Sequence, residues 1–387
     1  METPALNSSA FWESSETHIA LARGVEEPLG LRDFVRSTLG EAGWCLFQTS
    51  GTTGEQKWAV LKRSAFLISA KEMNVHCKLQ AEDRWMIALP EHHVGGFAIH
   101  ARAWLAGSAV DHFTGKWDAG RFCAECKASA VSLVPTQIHD LVSAGLRAPA
   151  SLRLVLVGGG LLRNELAQRA IDLGWNVCAT YAMTETASTV ACAALDADRS
   201  SEPDVLEVLP HWEAQLDEAG TLRLRGPSLA GGYACPTATG WDWVPIEANQ
   251  GLATRDRVSL WEHGTRTFMR FLGRADSFTK ILGELVSLDA LETHWQRVAA
   301  EAGFASRVAL IAVPDDRQES RLIFCVDAAI PQEALPMILE VGNATVRPFE
   351  RISEVLTVTD WPTTDLGKIK RAELVRLWAS RTQSQNL

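Results

Sequence analysis

The sequence predicts an α/β protein in two parts: a large N-terminal domain with βαβ-type sheets and a β-rich distal part, and a small α+β C-terminal domain. Three observations predict it. From Trp44 onward, short apolar runs alternate with segments of helical spacing. After about residue 200 the texture changes to short strands separated by glycine-containing turns. After Gly273 it changes again, to helices and strands in mixed order. At 387 residues the chain also exceeds one ordinary core, so two domains are expected.

Each element follows from its pattern. Trp44–Gln48, Trp85–Leu89, Val131–Val134, Leu152–Val157 and Asn176–Tyr181 are short apolar runs and read as buried strands. Between them Gly96–Ala106, Pro135–Ala144 and Leu162–Leu173 repeat apolar residues at helical spacing. Strands and helices alternating in this way build βαβ units and a largely parallel sheet, whose ligands sit beyond the carboxyl ends of the strands. Thr221–Arg225, Val258–Trp261 and Thr267–Leu272 read as antiparallel strands. In the last part, Leu288, Leu291, Trp295 and Val298 mark one helix face. Strands follow at Val308–Val313 and Leu322–Val326, a helix near Gln332–Glu340, a strand near Val355–Val358 and a final helix after Arg371. Residues 1–40 carry no strong signal beyond Leu29–Leu39.

A net charge of −10 argues against non-specific nucleic-acid binding, which rests on cationic side chains neutralising phosphates. The eight cysteines are scattered, and only Cys123 and Cys126 form a CxxC, so two thiols on a surface helix are expected rather than a metal or redox centre. Met1–Ala20 lacks a basic start followed by an apolar run, and no stretch reaches the roughly 18 apolar residues of a membrane span. A cytoplasmic protein with reduced thiols is therefore expected, without a signal peptide or a membrane span.

The densest chemistry lies directly after a strand, in Thr49-Ser50-Gly51-Thr52-Thr53-Gly54-Glu55-Gln56-Lys57. Glycines let backbone approach an anion, successive N–H groups and hydroxyls make a phosphate nest, and Lys57 adds a point charge. The Gly-Lys-Ser/Thr of a kinase-type P-loop is absent. This segment resembles the phosphate-binding loop of the adenylate-forming superfamily of acyl-CoA synthetases, luciferases and peptide-synthetase adenylation domains.

Further motifs of that superfamily follow in order. Tyr181-Ala-Met-Thr-Glu-Thr186 resembles the segment whose aromatic residue packs on adenine. By that resemblance Thr184 contacts phosphate and Glu185 holds Mg²⁺, a metal that commonly takes one carboxylate plus ATP oxygens. Thr254-Arg-Asp256 stands where the superfamily has Thr-Gly-Asp, so Asp256 would accept the ribose hydroxyls, a task suited to a pure acceptor. Gly273-Arg-Ala-Asp276 resembles the interdomain hinge, with Arg274 reaching the nucleotide and Asp276 as the hinge itself. The resemblance thus implies a large domain at 1–273, a hinge at 274–276 and a small mobile lid domain at 277–387. Gly283 and Glu284 would line the thiol tunnel, and Lys368 in Pro362-Thr-Thr-Asp-Leu-Gly-Lys368 would serve adenylation.

Finer features resemble the family of o-succinylbenzoate–CoA ligases of menaquinone synthesis: Ser132-Leu-Val-Pro-Thr-Gln137, Val157-Gly-Gly-Gly160, Ala187-Ser-Thr189 and Ala253-Thr-Arg-Asp-Arg257. The resemblance implies an acid–thiol ligase whose catalytic residues are Lys368, Glu185 and Thr184, using ATP, Mg²⁺ and coenzyme A on a small-molecule carboxylate. His92, His93, Arg102, Gln137, Ser188 and Thr189 are candidates for the second carboxylate of the substrate, with His93, Gln137, Ser188 and Thr189 preferred. Arg102 reads as weaker, because it can lie on the solvated face of its helix. The phosphate loop begins earlier in the chain than is usual for the superfamily, so a trimmed N-terminal subdomain is expected, either in a compact ligase or in one completed by homo-oligomerisation. Two rival readings remain: a ligase for another aryl or acyl acid (or one acting on a carrier-protein thiol), and a non-catalytic nucleotide-binding member.

Overall fold

The computed structural model of the chain describes residues 5–50, 56–195, 203–282, 284–304, 307–315, 317, 319–364 and 369–385. Its contacts divide into two compact units: Met1–Thr254 with Val258–Phe271, and Arg255–Arg257 with Leu272–Leu387. The protein is mixed α/β, with large sheets and a smaller C-terminal α+β part. Among the described residues no helix is long and apolar enough to cross a membrane.

The first unit is organised by an eleven-stranded sheet, one half of which is parallel. In spatial order that half runs Val177–Met183, Leu154–Val157, Ala130–Leu133, Arg84–Ile87, Ala109–His112. The inner strands are largely apolar runs because they are covered on both faces, as parallel sheets require, whereas the edge strand Ala109–His112 has no buried residue. The order reverses at Arg84–Ile87. Its helix Val94–Ala106 leads to Ala109–His112 on one side, whereas Ala130–Leu133 pairs on the other. The crevice at such a reversal is where open α/β sheets bind ligands. A second sheet of five strands joins Trp44–Ser50 and Gln56–Lys62 to the distant Gly232–Thr237.

The helix Val94–Ala106 does not divide into a wet and a dry face. Every residue from Gly96 to Ala103 is buried, including His100 and Arg102. Its small residues permit this. A side chain at Gly96 would place its first carbon 2.5 Å from the Pro90 carbonyl oxygen, so the helix seats directly on the turn that precedes it. The helix ends at Gly107, whose φ of 71° is the left-handed conformation glycine adopts without penalty. The solvated position expected for Arg102 is thus corrected: the guanidinium lies inside. The helix expected for the CxxC is Ala119–Glu125, whose one fully buried residue is Phe122; it carries the half-buried Cys123, while Cys126 caps it and is buried, and none of the eight cysteines forms a disulfide.

The sequence left residues 1–40 open apart from Leu29–Leu39, which becomes the helix Leu31–Leu39. A short helix Ser9–Trp12 and the strand His18–Ala20 precede it. His18 lies against Phe11 and Phe97, and burial pushes its imidazole down to about 4, with Arg63 and Arg32 adding to the effect. The unfolded chain therefore takes up a proton near pH 6.5 that the folded protein refuses. Between those two values stability is expected to fall as pH falls, by up to about 1.4 kcal/mol per unit from this residue. Burial lowers His211 to about 4 as well, in the same direction. Urea midpoints measured from about pH 7 to pH 5 check this, and a smaller slope is expected for His18→Phe. An unchanged slope in that variant would remove His18 from the account.

The second unit packs the helices Leu288–Glu301 and Arg371–Gln385 on a three-stranded sheet. Its central strand Glu319–Asp327 runs antiparallel to Val308–Asp315 and parallel to Glu354–Val358. Trp295 is fully buried, 4.9 Å from the Phe324 ring. Arg371 starts the last helix and donates from Nη2 to Asp289 and Glu292, each at 2.9 Å, which anchors that helix to Leu288–Glu301.

Candidate active site

The phosphate-loop motif lies on the hairpin of Trp44–Ser50 and Gln56–Lys62, where Thr49 stands opposite Lys57. The Thr49 hydroxyl donates to the Lys57 carbonyl at 3.5 Å. Gly51, Thr52, Thr53 and Gly54 lie outside the described residues, as does the side chain of Ser50. Lys57 Nζ sits 3.3 Å from the centroid of the Tyr233 ring, a close cation–π contact. Tyr233 in turn donates its hydroxyl to Glu185 Oε1 at 2.9 Å. Burial, then the Glu185 charge, raises the Tyr233 phenol above its ordinary value, so it remains a neutral donor. Two motif residues far apart in sequence, Lys57 and Glu185, are thus tied together by one ring.

Tyr233 was missed by sequence reasoning. A signal was available: the chain has two tyrosines, and the other is the motif residue Tyr181. What hid it is that Gly232–Thr237 reaches Gln56–Lys62 only through long-range pairing.

Glu185 is half-buried on the single turn Thr184–Thr186, and its carbonyl accepts from the Ala230 N–H at 2.7 Å. Beyond Tyr233, its carboxylate has no hydrogen-bond partner among the described residues. One free carboxylate oxygen at a half-buried site fits a magnesium ion that takes one protein carboxylate and completes its shell from phosphate and water. Thr184 is half-buried beside it.

The turn is held by a side chain that the motif does not advertise. Ala187 and Ser188 have φ of 51° and 98°, conformations that cost L-residues on the order of 1–3 kcal/mol each. The fully buried Thr186 hydroxyl lies 2.8 Å from the Ser188 carbonyl and 3.0 Å from that of Met183, and accepts from the Met183 N–H at 3.2 Å. Thr186→Val keeps the shape and removes these bonds. It is expected to lower the unfolding free energy by about 1–3 kcal/mol, read from urea denaturation. Wild-type stability in that variant would show that the hydroxyl does not pin the turn.

The residues expected for the acyl group divide into two sets. Gln137 is buried and turned inward: its Oε1 accepts from the Val134 N–H at 3.0 Å and its Nε2 donates to the Ala88 carbonyl at 3.3 Å. It closes the start of the helix Pro135–Ser143 and bridges the two loops at the sheet's reversal point. His93 precedes the helix Val94–Ala106, its ring 4.3 Å from that of His92.

Ser188 and Thr189 meet Arg102 instead. Arg102 Nη2 donates to Ser188 Oγ and Thr189 Oγ1, each at 3.1 Å, and its guanidinium lies 5.9 Å from the Trp85 ring. Arg102 is 3% exposed, its Nε has no partner, and no carboxylate pairs with it among the described residues. Burial lowers its pKa, partly opposed by Cys77 and Cys192. An unpaired buried guanidinium costs several kcal/mol.

Tyr181 is 8% exposed, its ring 6.2 Å from that of Phe271, and its hydroxyl points at Met183 Sδ. Within the second unit, Arg274 Nη1 pairs with the buried Asp256 Oδ1 at 3.3 Å, which joins the two residues expected at the nucleotide. Asp276 lies on the turn Ala275–Ser277, its side chain outside the described residues, as are Gly283 and Lys368 altogether.

The AMP-binding enzyme family matches residues 38–234. The chain is 34% identical over 248 residues to the 2-succinylbenzoate–CoA ligase of Salmonella typhimurium, covering 63% of this chain and 50% of that protein. It is 28% identical over 347 residues to a probable 2-succinylbenzoate–CoA ligase of Mycobacterium tuberculosis, covering 86% of this chain and 83% of that one. Among solved structures it is similar to a variant of E. coli MenE with bound OSB-AMS, with a TM-score of 0.68 and 26% identity over 88% of this chain and 70% of that one. The chain therefore spans about half the length of the Salmonella relative it matches.

Proposed function

Because the chain belongs to the AMP-binding enzyme family, we propose that it is an ATP-dependent carboxylate–CoA ligase that converts o-succinylbenzoate to its CoA thioester for menaquinone synthesis. The observation that carries the substrate assignment is Arg102: a buried, unpaired guanidinium flanked by the Ser188 and Thr189 hydroxyls. It matches a second carboxylate, one that is bound and not activated. Charge-assisted bonds to such an anion are roughly twice as strong as neutral ones. The relatives named for the same reaction support the reading.

In the first step the succinyl carboxylate attacks the α-phosphorus of ATP and pyrophosphate leaves. The Thr49–Lys57 segment cradles the phosphates, Asp256 accepts the ribose hydroxyls and Arg274 orients that carboxylate. Lys57 and Lys368 set positive charge where two anions must approach. Glu185 would hold the magnesium ion, which when bound offsets the charge of the phosphates. In the second step the thiol of coenzyme A attacks the acyl carbon and AMP leaves. We assign the change between steps to a swing of the small domain, 277–387, about Asp276. The enzyme so read works in the cytoplasm on small molecules.

The test is pyrophosphate release with ATP, Mg²⁺ and coenzyme A, comparing o-succinylbenzoate with benzoates and fatty acids. Selective turnover of o-succinylbenzoate is expected. Preference for a monocarboxylate would overturn the substrate assignment, and silence with every acid while ATP still binds would overturn the ligase reading.

A further inference from the structure

At the carboxyl ends of the outer parallel strands, three side chains from three successive elements converge. Glu91 lies in the turn after Arg84–Ile87, His100 in the second turn of Val94–Ala106, and His112 at the last position of Ala109–His112. Both imidazoles aim Nε2 at the same carboxylate oxygen: His100 bonds to Glu91 Oε1, and His112 Nε2 lies 3.3 Å from it. One donor from each residue falls within 4.8 Å of the other two. None of the three belongs to the motifs assigned above. His100 and Arg102, two positions apart on one helix, point to different sides of it.

We propose that Glu91, His100 and His112 form a binding site for a divalent transition metal, zinc being the best fit. Two imidazoles and one carboxylate suit zinc and its neighbours, whereas magnesium and calcium prefer all-oxygen shells. The spacing also fits. Zinc bonds of about 2.0–2.2 Å arranged tetrahedrally put ligand atoms roughly 3.4 Å apart, close to the His112–Glu91 separation. The tighter His100–Glu91 contact must open, and Glu91, with a 40% exposed side chain on a turn, has room to draw back.

One observation favours a ligand over a simple ion pair: both imidazoles crowd one carboxylate oxygen, while the other has no protein partner among the described residues. With Glu91 and His112 reaching solvent, the fourth position falls to water, and the ion would fasten the helix Val94–Ala106 to the edge strand Ala109–His112.

The test uses the full chain with Mg²⁺ in excess. Zinc binding is measured by calorimetry, and cobalt(II) replaces zinc for its visible spectrum. One zinc per chain is expected, with a raised melting temperature. Affinity is expected to fall at least about 100-fold in both His112→Gln and Glu91→Gln, since even partners outside the ligand set cost 10–100-fold. The control His263→Gln and the double variant Cys123→Ser, Cys126→Ser should bind as wild type. His112 is surface-exposed, so its variant is expected to fold, and urea midpoints without metal verify this for each protein. Unchanged affinity in the two ligand variants overturns the site. So does a thiolate-to-cobalt charge-transfer band, or loss of binding in the cysteine variant, because either assigns the metal to sulfur.

Discussion

Arg102→Met is expected to fold at least as stably as wild type and yet to lose about 100- to 1,000-fold in kcat/KM for o-succinylbenzoate, mostly through KM. The two halves of this expectation come from one fact, that no carboxylate among the described residues pairs with a guanidinium that is 3% exposed. In the free protein the charge has been taken out of water with only two hydroxyls and the Trp85 ring in return. Replacing buried charge by an apolar side chain of similar volume is often neutral or stabilising. The Ser188 and Thr189 hydroxyls lie 3.4 Å apart and can turn to each other. In the complex the balance reverses, since each hydrogen bond to a charged group contributes about 1.5–3 kcal/mol. Arg102→Lys should fall between, because a point charge on a flexible stem cannot reproduce a planar fork. Steady-state kinetics with urea denaturation measure both sides. A KM for the acid within about threefold of wild type, in a folded variant, would end the assignment of Arg102 to the second carboxylate.

How much of this was legible in the sequence depends on whether a feature is local. The inner parallel strands were readable because they are buried on both faces and mostly apolar, as Leu154–Val157 and Ala130–Leu133 are, whereas the edge strand Ala109–His112, with Asp111 and His112 and no buried residue, was not read. The hydroxyl-rich segment 49–57 stood out because its hydroxyls and glycines lie side by side in the sequence. Arg102 was misjudged because helical periodicity reports the average polarity of a face, and Val94–Ala106 is enclosed all round. The helix Arg63–His76 was passed over for a different reason: its buried stripe, Ala65, Phe66, Ser69, Ala70 and Met73, is made largely of small or polar residues, while the apolar Val75 is exposed. Tyr233 and the trio of Glu91, His100 and His112 depend on which strand lies beside which. Only the assembled sheets settle that.

The positions that the motifs place at the chemistry but the structure does not describe can still be tested by separating the half-reactions. Lys368→Ala is expected to slow acyl-adenylate formation by about 100- to 1,000-fold, as removal of one preorganised charge from a transition state does elsewhere. Thioester formation from supplied acyl-adenylate and coenzyme A should stay within a few-fold of wild type. The asymmetry follows from charge. In the first step an anionic carboxylate approaches an anionic phosphate, and negative charge gathers on the departing pyrophosphate. In the second the thiol attacks an uncharged acyl carbon, so the lysine is not needed to bring two anions together, although AMP departs with one added negative charge. Lys57 gives the complementary case. It is held over Tyr233, whose hydroxyl is bonded to Glu185. Its loss should therefore weaken ATP binding and adenylation together, and should disturb the Glu185 carboxylate as well. If Lys368→Ala slowed both half-reactions equally in a folded protein, the lysine would be supporting the architecture of the small domain rather than the adenylation step.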